Sequence, residues 1–193
     1  MMTLKCFLLT VLIVLGTAFS SRSNKVGWAR QMVETYDWGI LSTISTLPGL
    51  EGTPFGNPIS IAQVEGTPYF YVSALDQSLK DIASNSHVSL TLSDAEALKS
   101  PACGTVPKAG DPESPLCSRL TISGTFLNIS GTDEAPVAWE ALVAAHPAMA
   151  AWPADHSWFI GKLEISNLWL INIFGGASII TPDQYYQNNT VAA

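Results

Sequence analysis

The sequence predicts a mainly β domain, a β-barrel with helices inserted between its strands. Three observations carry that prediction. Apolar and polar residues alternate in several short runs, most clearly over residues 119–129. Pro and Gly residues punctuate the chain between those runs rather than within them. No linker-like stretch and no internal repeat interrupts residues 27–187, so the strands belong to one domain.

Residues 26–36 place Val26, Ala29, Val33 and Tyr36 on one helical face. Residues 38–44 are β-rich and lead into a Pro/Gly loop that runs through Pro54. Residues 58–64 set Ile59 and Ile61 against Ser60 and Ala62. The turn Glu65-Gly66-Thr67-Pro68 then enters residues 69–73, so these two runs are expected to pair as a hairpin. Residues 76–85 read as a helix with Leu79, Ile82 and Ala83 together, and residues 88–92 as a strand. In residues 119–129 Leu120 and Ile122 alternate with Thr121 and Ser123, and Gly124 marks a bulge. Residues 135–146 form a helix stopped by Pro147. Residues 158–165 and 167–174 are two last strands, ended by Gly175-Gly176, and residues 188–193 are a polar tail.

The N-terminus reads as a signal peptide. Lys5 supplies the one early charge, residues 6–16 are apolar apart from Thr10, and Ala18 and Ser20 present small side chains before a cut after Ser20. The apolar run is shorter than the ~20 residues that span a bilayer, and no later segment is longer. The expectation is cleavage of residues 1–20 and a secreted protein without a transmembrane segment.

The 193-residue chain carries 9 Lys and Arg against 16 Asp and Glu, a net charge of −7. Loss of Lys5 with the leader would make it −8. An acidic chain without a Lys/Arg run cannot neutralise a phosphate backbone, which excludes nucleic-acid binding. With 13% charged and 47% hydrophobic residues the composition is that of a folded chain rather than a disordered one.

Loss of the leader also removes Cys6 and leaves Cys103 and Cys117 around a Pro/Gly/Asp-rich loop, residues 104–116. An even pair in a secreted chain predicts a structural disulfide, the alternative being two buried thiols; the spacing excludes a Cys-x-x-Cys redox site. Asn128-Ile129-Ser130 and Asn188-Asn189-Thr190 are N-glycosylation sequons, both in contexts expected to be exposed.

Motifs of hydrolases, metalloproteases and nucleotide-binding loops are absent. His87, His146 and His156 lie on different elements without ligand spacing. His146, before Pro147, suits a helix C-terminus, and His156 follows Asp155. No catalytic or metal site is therefore expected. Asp133-Glu134 reads as solvated turn, and Trp38, Trp152, Trp158 and Trp169, set beside apolar runs, read as core rather than a ligand cage.

One resemblance is specific. Ala29-Arg30 leading to Asp37-Trp38-Gly39, then Ser42-Thr43-Ile44-Ser45-Thr46 and Pro54-Phe55, resemble the CREG family. So do Pro68-Tyr69-Phe70-Tyr71, Ser114-Pro115-Leu116-Cys117, His146-Pro147, Trp152-Pro153, His156-Ser157-Trp158-Phe159, Phe174-Gly175-Gly176, Thr181-Pro182 and Tyr185-Tyr186. The match runs in order through residues 27–187. It implies a split β-barrel related to the FMN-binding pyridoxamine-phosphate oxidase fold, and a homodimer. It also implies a secreted, often endolysosomal glycoprotein linked to growth control and differentiation, with receptor contacts of the mannose-6-phosphate type through its glycans. Asn188 matches a family glycosylation site and Asn128 falls close to another, whereas Glu164 stands where relatives carry a sequon Asn.

Flavoproteins of this fold hold the FMN phosphate with hydroxyls and cationic side chains from the strand-to-helix segment, because a dianion needs charge-assisted donors. The corresponding residues here offer Ser73, Ser78 and Lys80, but Asp76 and Asp81 oppose a phosphate. The segment reads as vestigial, and the leading expectation is a non-enzymatic glycoprotein without bound FMN. The alternative is an FMN-dependent oxidoreductase in which Ser73, Ser78 and Lys80 hold the phosphate.

Overall fold

The computed structural model describes residues 24–97, 103 and 111–187. The expected signal peptide, the Asn188 sequon and the 188–193 tail lie outside them.

Helix α1, Lys25–Thr35, starts at Asn24, whose Oδ1 accepts a hydrogen bond from the Gly27 amide at 2.9 Å. Strand β1, Trp38–Ile44, pairs antiparallel with β2, Pro54–Ser60, along its whole length, from Trp38 opposite Ser60 to Ile44 opposite Pro54. This corrects the expected hairpin. Residues 58–64 are two strands, broken at Ile61, whose amide bonds to the Asp37 carbonyl at 2.7 Å. Only the short β3, Ala62–Val64, pairs with β4, Thr67–Ser73. Pro54 and Pro58 are tolerated in β2 because it is an edge strand. The Glu65-Gly66 turn carries positive φ at both residues, 52° and 86°, the twist that two-residue hairpins require.

The chain continues through α2, Gln77–Ser84, β5, His87–Ser93, and a 3-10 turn, Asp94–Ala97, to β6, Arg119–Asn128. Next come α3, Ala135–Ala145, and 3-10 segments at Pro147–Ala151 and Ala154–His156. Strand β7, Trp158–Ile171, then β8, Ser178–Ile180, and α4, Pro182–Gln187, complete the described chain. Strand β7 is one strand of 14 residues, not the two that were expected, and it ends at Ile171 rather than 174. The register slips from Ser123 opposite Asn167 to Gly124 opposite Ile165, leaving Ser166 as the extra residue of a bulge. The bulge puts both Ile165 and Leu168 inside despite their spacing of three, which breaks the alternation that a sequence reading follows. A Cβ at Gly124 would lie 2.0 Å from the Glu164 carbonyl oxygen, so the crossing demands glycine.

All these pairings are antiparallel and give an eight-stranded sheet in the order β2-β1-β5-β6-β7-β4-β3, with β8 on β7. The sheet curls into a split barrel. One cross-strand row fills it: Leu41, Leu90, Ile122, Leu168 and Ile180 stand opposite one another in sequence and are 0–2% exposed. Burying a side chain of this size is worth roughly 1.5–3 kcal/mol. Ala29, Met32 and Val33 of α1 close one side of this core, and Ala138 and Leu142 of α3 build a smaller cluster with Tyr69, Ile129 and Met149. Helix α4 is pinned by Tyr185: its hydroxyl donates to the Gly66 carbonyl at 2.9 Å, and its own carbonyl accepts from Arg30 at 3.2 Å. Cys103 and Cys117 form a disulfide, with Cα atoms 5.0 Å apart.

Candidate functional site

Where β4 ends, the chain turns from Ser73 through Leu75 into α2, and three side chains organise the turn. Asp76 caps the helix: its Oδ1 accepts from the Ser78 amide at 2.7 Å. Asn57 of β2 donates to Asp76 Oδ2 at 3.3 Å and to Ser78 Oγ at 3.2 Å. Ser73 donates from Oγ to the carbonyl of His156 at 2.5 Å and accepts from the Leu75 amide at 3.2 Å.

The opposite wall comes from the segment before β7. Ser157, with φ 53° and ψ 50°, adopts the left-handed region that few side chains occupy, and this turn delivers Trp158 to the first position of the strand, opposite Ser73. Trp158 donates its indole N–H to the Pro153 carbonyl at 2.7 Å. Its ring lies 4.7 Å from Trp152 and 5.2 Å from Tyr71, centroid to centroid, and Trp139 meets Tyr71 edge-on at 4.8 Å. Burial raises the pKa of the Tyr71 phenol. Between these rings and Pro58 and Ile59 lies an open groove of about 470 Å³, rimmed by Leu75 and Asp76.

The aromatic residues correct the sequence reading. Trp38, Trp152 and Trp169 are 41%, 36% and 37% exposed, so none of them is core, and Trp152 and Trp158 line the groove. Local sequence carried no signal for this, because Trp152 and Trp158 stand beside apolar residues as core rings do. Glu134 is also more than solvated turn. It accepts hydrogen bonds from Lys162 Nζ at 2.7 Å and from the Tyr69 hydroxyl, beside a second cavity under Tyr186. Burial opposes its ionisation, yet these two bonds and the Lys162 charge hold its carboxyl below the usual range.

The three residues singled out for a phosphate separate in the fold. Ser73 and Ser78 are buried, 4% and 1% exposed, with hydroxyls engaged by His156 and Asn57. Lys80 points to solvent from α2. Among the described residues, no Lys or Arg lines the groove. The helix N-terminus, which would offer amides to a phosphate, is occupied by the Asp76 carboxylate. The residues present do not fit the phosphate of FMN. Asp81, the second acidic residue of the segment, turns away from the groove. Fully buried, it accepts from Thr43 Oγ1 at 2.8 Å, from the Thr46 amide and hydroxyl at 2.8 and 2.7 Å, and from Gln77 at 2.7 Å.

Two of the histidines have defined surroundings. His146 caps α3, and its ring reaches the Ile61 carbonyl at 2.9 Å. Ser73 meets the His156 carbonyl rather than its ring, and Asp155 stands 3.7 Å from that ring, so no nucleophile–base pair is assembled here. Among the described residues, no three His, Cys, Asp or Glu side chains converge as metal ligands, and no helix is long and apolar enough to cross a membrane. Asn128 is exposed at the end of β6. Its Oδ1 accepts from the Ser130 amide at 2.9 Å, while Ser130 Oγ accepts from the Ile160 amide at 3.0 Å.

Comparison with known proteins agrees with this architecture. The family model described as CREG, beta-barrel, matches residues 20–187. The chain is 38% identical to Protein CREG1 of Gallus gallus over 165 residues, 82% of this chain and 83% of that one. It is 38% identical to Protein CREG1 of Homo sapiens over 171 residues, 86% and 74% of the two chains. Among solved structures, a heme binding protein from Mycobacterium smegmatis superposes with a TM-score of 0.68 at 18% identity. That match covers 85% of this chain but 60% of that one, a likeness of fold alone.

Proposed function

The chain belongs to the CREG β-barrel family, and from that premise we propose a secreted or endolysosomal glycoprotein that acts by binding rather than by catalysis. Its signals would pass through protein contacts in growth and differentiation control, with a glycan-recognising or cell-surface receptor as partner. One observation carries the reading. The place where this fold could seat a phosphate-bearing cofactor is filled by the chain's own carboxylate, Asp76, and among the described residues no cation lines it. A leader over residues 1–20 and glycans on Asn128 and Asn188 fit an extracellular route, and Asn128 is exposed as a glycan requires.

A homodimer belongs to the same reading. The outer face of the sheet presents Trp38, Ile44, Trp169 and Ile179, each at least 37% exposed, where a monomer would leave apolar area in water. Trp169 and Ile179 stand directly opposite each other across β7 and β8.

The deciding experiment is the visible spectrum of the purified secreted protein after incubation with FMN and desalting. A colourless, folded dimer is the expected result. Near-stoichiometric retained flavin would overturn the binding-only reading in favour of an FMN-dependent oxidoreductase.

A further inference from the structure

We infer that the groove between the Trp152–Trp158–Tyr71 cluster and Asp76 binds a planar aromatic cation, with its ring on the tryptophans and its charge toward the carboxylate. The inference rests on the reading that Asp76 closes this place to phosphate and goes on to say what it admits.

Five features of the groove point to that chemistry. Trp152 is 36% exposed and Leu75 64% exposed at its rim, so apolar and aromatic surface is left uncovered. Indole is the strongest cation–π partner among side chains, and here two indoles and a phenol sit within 5.8 Å of one another. The fixed charge at the groove is acidic: Asp76 stands at the rim, the exposed Asp155 is 3.7 Å from the ring of His156, which also lines the groove, and among the described residues no Lys or Arg is in the lining. Asp76 commits Oδ1 to the Ser78 amide, while Oδ2 meets only the longer contact from Asn57. A volume of about 470 Å³ admits a two- or three-ring ligand and excludes a macromolecule.

The rings are held before any ligand arrives. Trp158 is fixed by its bond to the Pro153 carbonyl and by the left-handed turn at Ser157, and Trp139 supports Tyr71 from behind. A strained non-glycine residue persists only where its surroundings over-determine it. Such preorganisation lowers the ordering cost of binding a rigid ring.

The test is calorimetric titration at physiological salt with two tricyclic probes of opposite charge, proflavine and anthraquinone-2-sulfonate. Proflavine should fill one saturable site and quench tryptophan fluorescence, and the sulfonate should bind at least about tenfold more weakly. Trp152→Ala should weaken proflavine by about tenfold in a protein whose circular dichroism is unchanged, with the melting temperature lowered only by the lost stacking on Tyr71 and Trp158. Asp76→Ser keeps a helix cap but removes the charge, and should narrow the gap between the probes. Equal affinities, the absence of a saturable site, or full binding by Trp152→Ala would each overturn the inference. An FMN arm separates the two readings. Retained FMN defeats the premise, whereas failure of proflavine with FMN also unretained defeats the ligand class alone.

Discussion

The Asp76 carboxylate accepts a hydrogen bond from the Ser78 amide at 2.7 Å, so α2 carries its own anion at the end where a phosphate would dock. Cap and charge are separable. Asp76→Ala should cost about 1 kcal/mol in urea unfolding, and Asp76→Ser should recover most of it. Equal losses in both variants would show that the cap is not what Asp76 contributes.

Asp81 ties α2 to β1 from within. Burial works against its ionised form, but the donors from Thr46, Thr43 and Gln77 outweigh it and hold the carboxyl below the usual aspartate value. A depressed carboxylate stabilises the fold above its unfolded pKa and loses that contribution as pH falls through the folded value. Asp81→Asn, which points N–H groups at donors, should cost about 1–3 kcal/mol at neutral pH. The cost should shrink in acid unfolding curves below about pH 4.

Glu96 has the opposite sign. Its Oε1 accepts from the Ser93 amide while Oε2 is buried with no hydrogen-bond partner among the described residues. Burial, with the Asp37 and Asp94 charges, pushes its pKa up to about 7. The folded state therefore holds a proton that the unfolded state releases, and stability drains away as pH rises from about 4.5 to about 7. Glu96→Gln should match the wild type at acid pH and exceed it at pH 8, as read by thermal melts across that range.

The outer sheet face gives a test of assembly. Trp169→Glu places a charge opposite Ile179 on the uncovered side of β7. Sedimentation at micromolar concentration should show a monomer of unchanged circular dichroism. A persistent dimer would move the interface elsewhere.

The disulfide spans 14 residues of sequence. Its reduction should destabilise the domain by roughly 3 kcal/mol through the freed loop of the unfolded chain. Guanidinium unfolding with and without reductant measures it.

The inserted helices were legible because their apolar faces and caps are local: Asp76 and Pro147 mark boundaries that the structure keeps. The bulge at Gly124 was legible for the same reason. The pairing of β2 was not, because Pro54 and Pro58 suppress a strand signal that an edge position tolerates, and the partner of β2 is set by the curl of the sheet. The aromatic groove was hidden as well. Tyr71, Trp139, Trp152 and Trp158 are spread over a long stretch of sequence, and an apolar ring on a rim has the same local signature as one in a core. Ser73, Ser78 and Lys80 were grouped because the family resemblance implies a phosphate segment between strand and helix, yet burial takes the two hydroxyls inward and leaves the lysine outside.

Helices α1 and α4 meet through the Arg30 guanidinium and the Tyr185 carbonyl and ring, and Tyr185 reaches on to the Gly66 turn. The first and last elements of the described domain are thus clasped together. A force pulling on the two ends would load this clasp before it reached any sheet hydrogen bond, because the strands lie between the helices in sequence. Under tension the domain should yield in two steps, a weak release of the clasp followed by rupture of the sheet.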